Sequence, residues 1–182
     1  MQATAEQVQD WKEKYGGVYE LPIEDKSAFL KEPKMQDFKR AFTAMQKGGD
    51  IAFGEDMLNA LWIGGDEEIR KDDAYFLPAR KELVDFFNYP DAIISKTKGT
   101  GSEILIEGSK CTVRVITRED IRLAEKKNPA NKPFQTQEHL FDMIVVSKDE
   151  AFNDKNNPEI RFPLYQAIEK LQNQKIGRLK KL

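Results

Sequence analysis

Apolar residues recur at helical spacing through most of the chain, interrupted by short alternating runs and by glycine or proline. Residues 4–14 predict a short helix. Val8, Trp11 and Tyr15 share a face, Thr4 stands at the N-cap with Gln7 at the capping-box position, and Gly16-Gly17 ends it. Residues 18–21 and 28–30 read as a strand pair turning at Glu24-Asp25-Lys26. Met35, Phe38, Phe42 and Met45 then form the stripe of a helix that opens near Pro33 and stops at Gly48-Gly49. Asp50 can cap a second helix carrying Phe53, Met57, Leu58, Leu61 and Trp62 on one broad face. Gly54 costs that helix about 1 kcal/mol relative to alanine. A further helix is predicted over 78–87, with Leu83, Phe86 and Phe87 buried, closing at Asn88-Tyr89-Pro90.

Residues 95–102 lack periodicity and suit a flexible link or a long hairpin arm. The clearest hairpin follows, pairing 103–106 with 111–116 across Glu107-Gly108-Ser109-Lys110. Thr117 opens a helix with Asp120 three residues on, an acidic form of the capping box, and Ile121 and Ala124 point inward. Thr136 starts another, with Leu140, Phe141 and Ile144 as its apolar face. Residues 148–157 read as a polar surface loop. Pro163 precedes a last helix bearing Leu164, Ala167, Ile168 and Leu171. The expected fold is α+β, mainly helical, with two short antiparallel hairpins. Its units are 1–92, a link at 93–102, and 103–182 ending in a basic helix. The order of hairpin and helices repeats at a separation of roughly 80 residues with slight side-chain identity, which fits either a duplicated unit, whose two halves would superpose, or chance similarity.

The chain has 182 residues, enough for one sizeable core or two small ones, and a formal charge of -2. That balance gives no general pull towards a polyanion. Residues 175–182 are basic, yet no aromatic stacks beside them, so nucleic acid is an unlikely partner. No apolar run approaches the roughly 20 residues that span a bilayer. The single cysteine excludes an internal disulfide and fits an intracellular protein.

Candidate chemistry is sparse. Cys111 opens a strand, and His139 alone could serve it as a base, with no motif joining them. The run from Asp66 to Asp73 lacks the alternating oxygen ligands of a calcium loop and holds Arg70 and Lys71 at its centre, so caps and a solvated loop are expected. Gly99-x-Gly101 leads into a strand, whereas a phosphate loop leads into a helix. The expectation is a protein that is not an enzyme, with no catalytic residue, no cofactor and no metal. What remains is protein interaction, for which Phe42, Met57, Trp62, Phe86, Phe87 and Tyr89 are the candidate residues, being large and mostly near element ends.

At Trp11-Lys12-x-Lys14-Tyr15-Gly16-x-Val18-Tyr19-Glu20, and again at Asn59-x-Leu61-Trp62-Ile63-Gly64-Gly65-Asp66-Glu67-Glu68, the chain resembles phage tail assembly chaperones and related small phage proteins. The resemblance covers residues 11–87. It implies binding to a phage tail or virion protein during assembly, in the host cytoplasm, with no catalytic residues to carry over. A homo-oligomer is compatible with it, and a membrane role is not expected. It also implies that Trp62, Gly64, Gly65 and Asp66 shape a helix end. The strong second hairpin departs from that pattern and leaves open a structural virion subunit, such as a connector, ring or cargo component. A nucleic-acid-binding accessory is the remaining alternative.

Overall fold

Two antiparallel sheets, one of three strands and one of four, are packed with helices that dominate the chain. The computed structural model describes residues 3–86, 88–99 and 101–173, and of residues 85 and 86 the backbone alone. Phe87 and the basic stretch 175–182 lie outside the described residues, as does the side chain of Phe86. The chain divides into two compact units, Met1–Asn88 and Tyr89–Leu182.

In the first unit, helix α1 (Ala5–Tyr15) starts at the expected capping box: Thr4 accepts from the Gln7 N–H and Gln7 reaches back to the Thr4 N–H. Strands β1 (Val18–Ile23) and β2 (Lys26–Lys31) form the expected hairpin. Helix α2 spans Met35–Leu61, broken where Gly49 takes φ 68°. That left-handed value is open to glycine at little cost, so the stop predicted there is a sharp break between two helical segments. The next element corrects the sequence reading. Trp62–Gly65 is not a helix end leading into an acidic loop but a strand, β3, which pairs antiparallel with β2 and completes the order β1-β2-β3. A single-turn helix α3 (Glu68–Lys71) precedes α4 (Asp73–Phe86). Helix α4 begins ahead of Pro78, which lies inside it, because Asp72 caps the Ala74 N–H at 2.9 Å. Ala28, Met35, Phe38, Leu61, Ile69 and Leu83 form the core.

The second unit opens with a strand the sequence placed within a link. Strand β4 (Ile93–Lys96) pairs with β5 (Ser102–Ile106), which pairs with β6 (Ser109–Val113). The β5–β6 turn is tighter than expected. Only Glu107 (φ 47°) and Gly108 (φ 78°) turn the chain, the positive-φ pair that matches strand twist in a two-residue hairpin. Helix α5 (Arg118–Lys126) has the predicted Thr117–Asp120 capping box, and α6 (Gln135–Ile144) follows. Strand β7 (Val145–Lys148), paired with β6, was not predicted; the stretch 148–157, predicted as a polar loop, is largely that, with a 3-10 turn (Glu150–Asn153) that buries Phe152. Helix α7 (Pro158–Gln172) starts ahead of Pro163, capped by Asn157 on the Glu159 N–H at 3.0 Å.

The internal wiring of each unit is the same at one constant offset along the chain. Ala28, Phe29 and Leu30 pair with Gly65, Gly64 and Trp62, with a bulge after Phe29. Cys111, Thr112 and Val113 pair with Lys148, Ser147 and Val145, with a bulge after Thr112. A two-way clasp closes each sheet. The Ser27 N–H donates to the Asp66 carboxylate at 3.0 Å while the Asp66 N–H donates to the Ser27 carbonyl at 2.9 Å. The Lys110 N–H and Asp149 repeat both bonds, at 2.8 and 3.0 Å. Ile69 and Phe152, three residues beyond each aspartate, are both fully buried.

Candidate functional site

Of the residues the sequence put forward, four have described side chains, and the fold does not gather them into one site. Met57 is 0% exposed, so it belongs to the core and offers no interaction surface. It falls on the inner face of α2 beside Leu58 and Leu61, where helical spacing alone could not separate core from contact. Trp62 is half-buried on β3, with the Arg70 guanidinium 4.3 Å from its ring centre. Arg70 is steered there by hydrogen bonds to Glu67 and Asn59. Tyr89 lies in the second unit, stacked on Phe162 at 5.4 Å. Phe42 alone lines an open apolar surface.

That surface is a groove of about 360 Å³ in the first unit, between α2 and α4. Phe42 meets Phe53 edge-on at 5.0 Å to form its floor. Met45, Leu77 and Val84 form its walls, and the last two are 47% and 57% exposed. Asp50, Arg80 and Lys81 supply its polar edge. Gly54 explains how the helices come so close: a Cβ there would lie 2.3 Å from the Arg80 side chain, so the glycine makes room for the arginine stem. Leu77 was missed because α4 begins earlier than Pro78 suggests, and Val84, inside the predicted helix, because Leu83, Phe86 and Phe87 were read as its apolar set. The signal was present, since α4 buries Phe76, Ala79 and Leu83 on one side while Leu77 and Val84 recur seven apart on another.

A second recess of about 770 Å³ opens in the same unit between β1 and α4. Tyr19, Leu21, Ile23, Leu30, Tyr75 and Leu83 supply its apolar lining, and Glu20, Glu24, Glu82 and Lys31 its charges. Tyr75 donates its hydroxyl to Asp25 at 3.1 Å.

The two motifs behind the family resemblance meet in space. The Trp11 ring lies 5.2 Å from that of Phe29, and a Cβ on Gly64 would come within 3.1 Å of it. Gly65 takes φ 129°, and a Cβ there would strike the Ser27 carbonyl at 2.4 Å. The glycines therefore let β3 lie flat against β2 beneath Trp11. They do not end a helix. Asp66 holds the hairpin, as described above.

Elsewhere the candidate chemistry resolves into structure. Burial pushes the Cys111 thiol up to about 12, with the Asp149 carboxylate adding to the shift, which suppresses the thiolate. His139 is engaged by Gln135 at 3.0 Å. Glu67 pairs with Arg70 and Lys71, and both lower its pKa, Arg70 most. Gly99 and Gly101 belong to the loop joining β4 to β5, where the Thr97 N–H donates to the Gly101 carbonyl. Among the described residues, no group of three or more His, Cys, Asp or Glu side chains could hold a metal ion, and no helix is long and apolar enough to cross a membrane.

With this geometry in view, comparison with known protein families, curated proteins and solved structures finds no match to the chain.

Proposed function

We propose that this protein is a non-catalytic partner-binding factor that holds a phage tail or virion protein during assembly, in the manner of a tail assembly chaperone. The observation that carries this reading is the open groove of Phe42, Met45, Phe53, Leu77 and Val84. Met45, Leu77 and Val84 stand exposed over half-buried Phe42 and buried Phe53, beside Arg80 and Lys81. A nonpolar groove with a charged edge suits the apolar face of an amphipathic helix. Met45 adds a side chain that can reshape to different partners. The motif residues Trp11, Gly64, Gly65 and Asp66 support the reading by building the sheet of the same unit.

The shared pairing register, bulge and aspartate clasp support a further element of the proposal: the two units descend from one duplicated hairpin-and-helices module. Identity between them is confined to a few positions such as Ile23 and Ile106, Asp37 and Asp120, Ala41 and Ala124, and Asp66 and Asp149.

The test is co-expression with the tape-measure protein of the same phage. The wild-type chain is expected to keep that protein soluble and to co-purify with it. Leu77→Asp combined with Val84→Asp should abolish both effects while changing stability by no more than about 0.5 kcal/mol, since both positions are exposed. Failure of the wild type to hold the tape-measure protein would sink the reading. Retention of the chain in purified particles would identify a virion subunit instead of a factor that leaves.

A further inference from the structure

We propose that the recess between β1 and α4 receives an extended, basic segment of the partner polypeptide, which adds as a strand antiparallel to β1. This rests on the partner-binding reading above and names a second, separate contact for it.

The second unit shows what belongs on that edge. Strand β5 is interior, flanked by β4 and β6, whereas its counterpart β1 is an edge strand in the order β1-β2-β3. Strand β4 pairs antiparallel to β5, with Ile94 opposite Ile104, Ser95 opposite Glu103 and Lys96 opposite Ser102. At the offset relating the two units, Ile104, Glu103 and Ser102 correspond to Leu21, Glu20 and Tyr19. Ile104 and Ser102 are buried, while Leu21 and Tyr19 are only half-buried and line the recess. The helices differ in the same sense. Aligned on their internal prolines, two residues beyond that offset, Ile160 and Pro163 of α7 are buried, while Tyr75 and Pro78 of α4 are half-buried and exposed. Among the described residues, therefore, the sheet of the second unit has a strand outside β5 and that of the first has none outside β1.

Backbone direction on β1 fits an incoming strand. The Ser27 N–H and carbonyl both point to Asp66 on the β3 side, so Ser27 and its partner Pro22 form a pair that exchanges no bonds. Alternation then turns the N–H and carbonyl of Glu20 to the open edge. It does the same for Val18, because the Gly17 carbonyl accepts from Glu32 on the other side. Pro22 has no N–H, which limits the added strand to the stretch before it and discourages pairing along the full edge. Glu20, Glu24 and Glu82 outnumber Lys31 around the recess, so the segment that fits carries Lys or Arg beside apolar residues. Strand β4, Ile-Ile-Ser-Lys, has that chemistry.

A fluorescent peptide of residues 91–98, added to the full-length chain, is the probe. Binding is expected to move the amide resonances of Val18 and Glu20. Glu20→Pro removes an edge-facing N–H together with the carboxylate that accepts from the Ser27 hydroxyl at 2.8 Å, and should weaken binding at least tenfold, whereas Glu20→Gln, which keeps the N–H, should weaken it far less. Glu24→Lys with Glu82→Lys, at two exposed positions, should weaken it about as much and reduce its dependence on salt. A peptide with both lysines changed to glutamate should not bind. Absence of binding, equal binding by the Glu20→Pro chain, or shifts confined to other amides would overturn the proposal. So would self-association of the chain that Glu20→Pro abolishes, because the edge would then serve a second copy. Capture of the tape-measure protein that persists in Glu20→Pro would refute this contact and leave the wider reading standing. Loss of capture by the wild type would refute the wider reading itself.

Discussion

The two units solve the same closure problem with different materials. In the first, β3 is Trp-Ile-Gly-Gly and lies against β2 because its glycines lack side chains at the crossing. In the second, β7 is Val-Val-Ser-Lys, and Lys148 occupies the place of Gly65 without a positive φ. Both are held by an aspartate clasp and a buried residue three positions later. What differs is the finish. The second unit adds β4 outside β5, and the first leaves an edge, a recess and a groove. The open copy of the scaffold is where the proposed binding is placed.

The largest expected effect tests whether the clasped turn is equally central in both units. Phe152→Ala should cost about 4 kcal/mol and Ile69→Ala about 3 kcal/mol, because each side chain is fully buried. The readouts separate the units. Both tryptophans, Trp11 and Trp62, lie in the first, so their fluorescence reports on it, while alkylation of buried Cys111 reports on the second. Each substitution should move only its own signal if the units unfold independently.

A smaller effect separates the two closing strands. Gly65→Ala should destabilise the first unit by about 2 kcal/mol through strain at φ 129° and collision with Ser27. Lys148→Ala should change the second by less than about 0.5 kcal/mol, since Lys148 is exposed. Equal costs would mean that the strands are not equivalent in the way their register suggests.

The smallest contrast concerns the start of the first helix after each hairpin. Asp37 accepts from the Lys34 N–H at 2.9 Å, and Asp120 from the Thr117 N–H at 2.9 Å. Asp120 alone also takes two 2.7 Å bonds from Arg114. The Arg114 guanidinium, helped by Thr117 and opposed by burial, holds the Asp120 carboxyl well below the usual carboxylate range. Its stabilising contribution is therefore full above the ordinary value near 3.8 and is lost as pH falls towards the lowered one. Asp120→Asn should lower the melting temperature at pH 7, and the gap from wild type should shrink progressively below about pH 4. A constant gap would show that the charge contributes nothing.

Local signals were legible in the sequence. The Thr4–Gln7 and Thr117–Asp120 boxes, both short hairpins and the break at Gly49 depend on residues within a few positions of each other. The strands β3, β4 and β7 were not, because each has four residues and too little alternation to register. Strands β3 and β7 also pair with segments more than 30 residues away in sequence. Pro78 and Pro163 misled for a related reason. Each looks like a helix start, yet a side-chain cap from Asp72 or Asn157 lets the helix begin earlier and run through the proline. The groove suffered in turn, since Leu77 lay outside the predicted helix. The recess could be recognised only once the pairing of β4 was visible in the other unit.

The aspartate clasp has a consequence for how the chain acquires its shape. Ser27 and Asp66 are separated by 39 positions, as are Lys110 and Asp149. Bringing such ends together costs entropy that hairpins and helix caps do not incur. Each closing strand is therefore expected to dock late, after the intervening helices have shortened the path. During synthesis, the amino-terminal clasp can lock before the carboxy-terminal one has left the ribosome.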